Sequence, residues 1–233
     1  MRLKERTLHH KVLGSISLQQ AGRDAMTRDQ VQSVHDDIAY MKALAQEGRR
    51  APLLAGPIMI AAAIVFGLAS IAQWFVVSGV IDVTPWAQFW IWIVAAIIFT
   101  LDLIFLLNRM KAKPGYSSVG NRAVGAAWTG VGVGIFVTWL ALMVIGFKTG
   151  DWFLMNLMPT IVVVAYGSAW MVAALMSQAR WMMGVALASY AGAVVLAWFA
   201  GDQVIYLVHA ALLLLVALVP GLILMRQEPT EVV

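Results

Sequence analysis

Apolar residues arrive in six long blocks, separated by short polar gaps that hold most of the charge. Each block has roughly the 20 residues that cross a ~30 Å hydrocarbon layer as a helix. The blocks cover 54–79, 86–108, 123–147, 154–177, 181–200 and 203–225. Stretches such as IMIAAAIVFGLASIA and LLLLVAL are apolar on every face, without the period-two alternation of a membrane-spanning barrel. In lipid the backbone must satisfy its own N–H and C=O groups, and a segment of this kind does so only as a helix. The pattern predicts an all-α polytopic membrane protein. Its six transmembrane helices form three helical hairpins over 51–226, preceded by a short cytoplasmic amphipathic helix and followed by a short cytoplasmic tail over 227–233.

The preceding helix, within 26–50, has a different periodicity. Thr27 followed three residues later by Gln30 matches a capping box, in which each residue bonds the other's free backbone N–H. Val31, Val34, Ile38, Met41 and Ala45 then recur at the 3–4 spacing that places them on one face. Gly48 supplies a stop. Asp36, Asp37 and Glu47 make the segment too acidic to favour anionic lipid. Its apolar face reads either as a docking surface for a partner or second copy, or as a strip that packs on its own spans. Residues 1–25 read as a basic, disordered tail, and the MTRDQ stretch from Met26 offers an alternative translation start.

Composition agrees with the blocks: the chain is 61% hydrophobic and 12% charged, too apolar to cover one soluble core with polar surface. Its mean hydropathy is +0.82. Charge adds orientation. Every Lys and Arg except Lys148 lies before the first block or after the second, fourth or sixth, including Arg49, Arg50, Arg109, Lys111, Lys113, Arg122, Arg180 and Arg226. The alternate gaps carry Asp82, Asp151 and Asp202. Because basic residues near span ends stay on the cytoplasmic side, this distribution predicts cytoplasmic N and C termini in a bacterial-type inner membrane. The formal charge of +4 then reflects membrane asymmetry and not affinity for nucleic acid. Absence of cysteine removes disulfides and thiolate chemistry from consideration.

Small residues recur at spacing four, the pattern that lets helix backbones approach closely in lipid. The third block carries Ala126, Gly130 and Gly134, and the fifth carries Gly184, Ala188 and Gly192. These are expected to be helix-packing stripes, with an intermolecular role open for the third block.

Ionisable residues inside lipid are costly, which makes them candidates for function. Asp102 lies roughly 9 Å inside the predicted inner boundary at 1.5 Å per residue. It reads as a structural anchor to an Arg such as Arg122 or Arg180, or as a proton- or cation-binding acid in a transport path. Asp202, Tyr206 and His209 follow at i, i+4 and i+7 and form one narrow polar stripe. Together these four residues are the candidate intramembrane polar site, and Asn156, Thr160 and Ser168 add polarity to the fourth block. No second His exists in any block to complete a metal site, and no cofactor is expected.

Six spans with Gly167-Ser168 on the fourth and His209 on the sixth superficially resemble the rhomboid intramembrane serine proteases. Depth opposes that resemblance. Ser168 lies roughly 22 Å and His209 roughly 9 Å below the same surface, whereas a nucleophile and its base must come within about 3 Å. The family's G-x-S-G sequence is absent as well, as are H-E-x-x-H, phosphate-cradling loops and dinucleotide fingerprints. No catalytic residue is assigned. The favoured reading is a small non-enzymatic membrane protein, a regulatory or accessory subunit that meets a protein partner or second copy besides the lipid bilayer. The alternative is a compact proton- or cation-coupled transporter or channel using Asp102 and the Asp202–Tyr206–His209 stripe.

Overall fold

The computed structural model describes residues 32–42, 53–113 and 115–227, all-helical with no strand among them. The chain divides into two units, 1–47 and 48–233. In the first unit, residues 32–42 form helix α1. Val34, Ile38 and Met41 are exposed on it, while Val31 and Ala45 of the expected docking face lie outside the described residues.

The second unit holds six helices long and apolar enough to cross a membrane. They are α2 (Gly56–Val77), α3 (Trp86–Met110), α4 (Val119–Thr149), α5 (Met158–Ser177, entered through a 3-10 turn at Phe153–Leu157), α6 (Arg180–Trp198) and α7 (Ile205–Gln227). The protein is therefore an integral membrane protein with a multi-pass helical bundle. Each helix coincides with an apolar block to within a few residues. The largest extension is α4, which starts at Val119 because Ser118 caps it, its hydroxyl accepting from the Asn121 N–H at 3.2 Å. At its far end Gly150 takes φ +74°, a left-handed turn that ends the helix.

Two acidic turns share one device. Asp151 Oδ1 accepts the Phe153 N–H at 2.8 Å, and Asp202 Oδ1 accepts the Val204 N–H at 2.9 Å. Both carboxylates hold the backbone that leads into the following helix. These turns, with the one containing Asp82, mark one end of the bundle, which serves below as the Asp-turn end.

Burial separates the helices into two classes. Within the most apolar window of each, 33% of α2, 39% of the α5 segment, 33% of α6 and 44% of α7 is buried, against 6% of α3 and 6% of α4. The core is thus α2, α5, α6 and α7. α3 packs chiefly on α2 and α4 chiefly on α5. One ring contact joins the two outer helices, Phe89 stacked on Trp139 with centroids 5.7 Å apart.

Core helices meet at glycines. A methyl group at Gly56 would sit 2.8 Å from the Met225 backbone nitrogen and 2.9 Å from the Gly221 carbonyl oxygen, so α2 and α7 touch backbone to backbone. Gly167 receives the Tyr190 ring, and Gly192 receives the Leu212 side chain. Such close approach is what holds helices together where lipid supplies no hydrophobic drive.

In α7 a π turn occupies Leu214–Leu218, where the Val219 N–H reaches back five residues to Leu214 O. Pro220 explains it. A proline inside a helix has no N–H for the carbonyl four residues earlier, and its ring crowds that carbonyl. The carbonyl concerned is Val216, and the Trp170 indole takes the vacated role, Nε1 donating to Val216 O at 2.8 Å. Trp170 is buried, as are Val216 and Pro220.

Candidate functional site

Buried polarity concentrates where α2 faces α7. Ser70, Gln73, Ser189 and His209 are the buried polar residues among those described. Ser70 is 0% and His209 2% exposed. Ser70 Oγ lies 2.8 Å from the Phe66 carbonyl and 2.9 Å from His209 Nδ1. One turn nearer the Asp-turn end, Gln73 Nε2 donates to Gln88 Oε1 of α3 at 3.0 Å and lies within reach of the Tyr206 hydroxyl. Tyr206 in turn donates to Asn156 Oδ1 at 3.4 Å. α2 and α7 run in opposite directions, so Ser70 meets His209 and Gln73 meets Tyr206 as two successive rungs.

The rungs lie between two apolar clusters. Ile205 and Tyr206 belong to a buried group with Val163, Ala193 and Leu196 near the Asp turns. Leu213, Val216 and Ala217 belong to the larger group with Trp170 and Met59 beyond His209. Polar contact therefore reaches from Gln88 and Asn156 down to His209 and stops there against apolar side chains.

Only a protonated Nδ1 on His209 lets both Ser70 contacts form at once. The Ser70 hydroxyl, a helix-interior serine, donates to the Phe66 carbonyl, and its oxygen then accepts from His209 Nδ1–H. Nε2 is left as a bare acceptor. It is buried with no hydrogen-bond partner among the described residues, as are Gln73 Oε1, Thr160 Oγ1 and Trp128 Nε1. Each such group costs about 1–3 kcal/mol when left unmatched in an apolar interior.

The expected site residues fare differently. Tyr206 and His209 both lie at the α2–α7 contact, with Gln73 and Ser70 opposite them and Gln88 bonded to Gln73, and the pattern along the chain singles out none of these three. Asp202 stands outside, exposed on its turn and bonded to its own backbone. Asp102 is remote: 14 residues along α3 from Gln88, it lies roughly 21 Å away along the helix axis. It forms no ion pair with Arg122 or Arg180 among the described residues, so the expected anchor is not made. Arg109 instead lies over the Phe105 ring of its own helix, 5.2 Å from the centroid. Arg122 sits on α4, which packs chiefly on α5, whereas the α3 that carries Asp102 packs chiefly on α2.

Small-residue stripes also divide. Gly192 is buried against Leu212, Ala188 is half-buried, and Gly184 is open. Gly130 and Gly134 have nothing within 4 Å of where a Cβ would stand, and Ala126 is exposed.

Ser168 is not the partner of His209. Its hydroxyl meets Tyr190 OH at 3.1 Å and the Val164 carbonyl at 3.3 Å. The Ser70–His209 pair has the distance of a nucleophile and its base, yet Ser70 is wholly covered and no described carboxylate orients the ring. No group of three or more His, Cys, Asp or Glu side chains suited to a metal ion occurs among the described residues. No family model, no curated protein and no solved structure matches the chain.

Proposed function

We propose that this protein is a non-enzymatic membrane subunit, regulatory or accessory, that works by associating with another membrane protein. In this reading it sits in a bacterial-type inner membrane with both termini cytoplasmic and the Asp-turn end outward. The observation that carries it is the bareness of α3 and α4, only 6% buried where the core helices reach 33–44%. On α4 the bare face includes Gly130 and Gly134, residue types that serve helix contact better than lipid contact. The exposed Val34, Ile38 and Met41 of α1 add a second, water-facing docking strip.

Purification in mild detergent tests this. The full chain should retain one stoichiometric membrane partner, and a chain carrying Gly130→Leu and Gly134→Leu or lacking 27–48 should lose it. A full chain that behaves as a free monomer, identical to both variants, would sink the proposal.

The buried polar rungs favour a second reading, a compact proton- or cation-coupled transporter. Proteoliposome flux that disappears in both Asp102→Asn and His209→Leu would establish it over the first. Flux unchanged by either substitution would remove it. Reporter fusion after Arg226 checks the orientation common to both readings, with a cytoplasmic signal expected.

A further inference from the structure

The end of the bundle opposite the Asp turns is basic. Arg109, Lys111, Arg122, Arg180 and Arg226 stand there, and all are exposed. The described acids of the second unit lie elsewhere: Asp82, Asp151 and Asp202 at the Asp turns, and Asp102 seven residues inward of Arg109. Three of the arginines border one piece of core. Val124, Met182 and Leu224 belong to a single buried cluster with Leu53, and Arg122, Arg180 and Arg226 each lie two residues from one of them. Two residues turn roughly 200° round a helix, so each arginine leaves on the side away from that core. α4 and α7 are also both fastened to the start of α2, where Asn121 Oδ1 accepts the Leu54 N–H at 3.1 Å and the Met225 backbone lies against Gly56.

Just inward of these charges the surface is apolar. The Arg109 guanidinium lies over the Phe105 ring, which is 58% exposed, and Leu101 one turn further in is 63% exposed. On α7, Leu222 is exposed one turn inward of Arg226. A ligand that covers both parts needs an anionic group and an apolar tail, and a nucleic acid or a free phosphate offers only the first. We propose that this basic end binds anionic phospholipid. The lipid phosphates lie against the arginines, whose forked donors suit phosphate oxygens, and the acyl chains run along the exposed apolar side chains of α3 and α7. The Asp-turn end, with three acids and Lys148 as its one described base, has no such preference. One membrane leaflet is thereby read by its charge, independently of association or transport.

Retained lipid tests this. The full chain in mild detergent is mixed with equimolar phosphatidylglycerol and phosphatidylcholine of the same acyl chains and re-purified. The lipid that stays bound is then extracted and counted by mass spectrometry. Phosphatidylglycerol should be enriched at least about fivefold, the weight of a single base at an anionic surface. The preference should fall toward equality when the mixing is done in about 1 M NaCl, which screens exposed charges. Replacing Arg109, Arg122, Arg180 and Arg226 together by Gln should abolish the enrichment. The same four replaced by Lys should keep it, and so should Lys148→Gln at the Asp-turn end. Glycerol phosphate, which has the anion without the tail, should not displace the lipid. Equal retention of the two lipids by the full chain would overturn the proposal. So would enrichment that survives high salt or the Gln replacements, or lipid displaced by glycerol phosphate. The salt and competition arms use the unaltered protein, so they decide the question where the Gln variant fails to fold.

Discussion

α7 and α4 carry glycines in apolar sequence of much the same kind, yet one helix is the most buried of the bundle and the other among the least. On α7, Gly221 lies against the Gly56 carbonyl, and no side chain separates the two backbones. On α4, Gly130, Gly132 and Gly134 look onto open space. Lipid is as apolar as the helices themselves, so hydrophobicity alone selects neither fate. What separates them is whether a matching small surface and a polar contact exist on a neighbour. α7 has both, at Gly56 and at Ser70. α4 has neither over its middle turns among the described residues, and a polar bond to the core stands at one end, where Asn121 Oδ1 accepts the Leu54 N–H at 3.1 Å.

The sharpest way to break this contrast is to add one methyl group to each class. Gly56→Ala forces a carbon against backbone atoms that cannot rotate away. It should destabilise the bundle by about 2–3 kcal/mol, the upper part of the usual overpacking range. Gly134→Ala meets nothing and gains helix propensity, so it should be neutral or stabilising by up to about 1 kcal/mol. Unfolding of both variants in one detergent measures the difference. Equal effects would mean that the α2–α7 crossing is no tighter than the outer face of α4.

A smaller effect is expected from the helix that must accommodate a proline. Trp170→Phe keeps one aromatic ring in the core but removes the donor to Val216 O, whose own helical donor position is Pro220. A loss of about 1–3 kcal/mol follows from stranding that buried carbonyl. Pro220→Ala restores an N–H four residues after Val216, so in that background Trp170→Phe should cost less, by about 1 kcal/mol. Additive effects in the double-mutant cycle would show that the indole and the proline are energetically unconnected.

The six helices were legible because each block satisfies its own backbone and needs no partner to be recognised. Their ends were less so, since Ser118 extends α4 beyond its apolar block by a local hydrogen bond. The polar site was half legible. Tyr206 and His209 stood out as polar residues on one helical stripe, but the meaning of Ser70 depends on a residue 139 positions away in sequence, and that of Gln73 on a residue of the next helix. A serine in an apolar helix that returns its hydroxyl to its own backbone leaves the same trace as one that also grips a histidine. Asp202 was misjudged for the opposite reason: i, i+4, i+7 geometry presumes a helix, and Asp202 lies in the turn before it, where its side chain is used by the backbone. Stripe spacing likewise identified surfaces suited to contact without saying which contacts this chain makes internally.

Asp102 gives the smallest expected effect and the clearest test of the outer helices. It sits on α3, partly exposed, with no hydrogen bond or ion pair to a described residue. A carboxylate that supports nothing in the bundle costs little to neutralise, so Asp102→Asn should change stability by no more than about 0.5 kcal/mol. Gln73→Leu, by comparison, removes an interhelical hydrogen bond on the core side of the same helix pair. It should cost about 0.6 kcal/mol, the average for such bonds in membrane bundles, and no more than about 1.7 kcal/mol. If Asp102→Asn proves the more damaging of the two, α3 holds a partner for that carboxylate and belongs to the core. If it is silent for folding yet alters association or flux, the acid serves something outside this chain, which is the role that an uncovered helix leaves open.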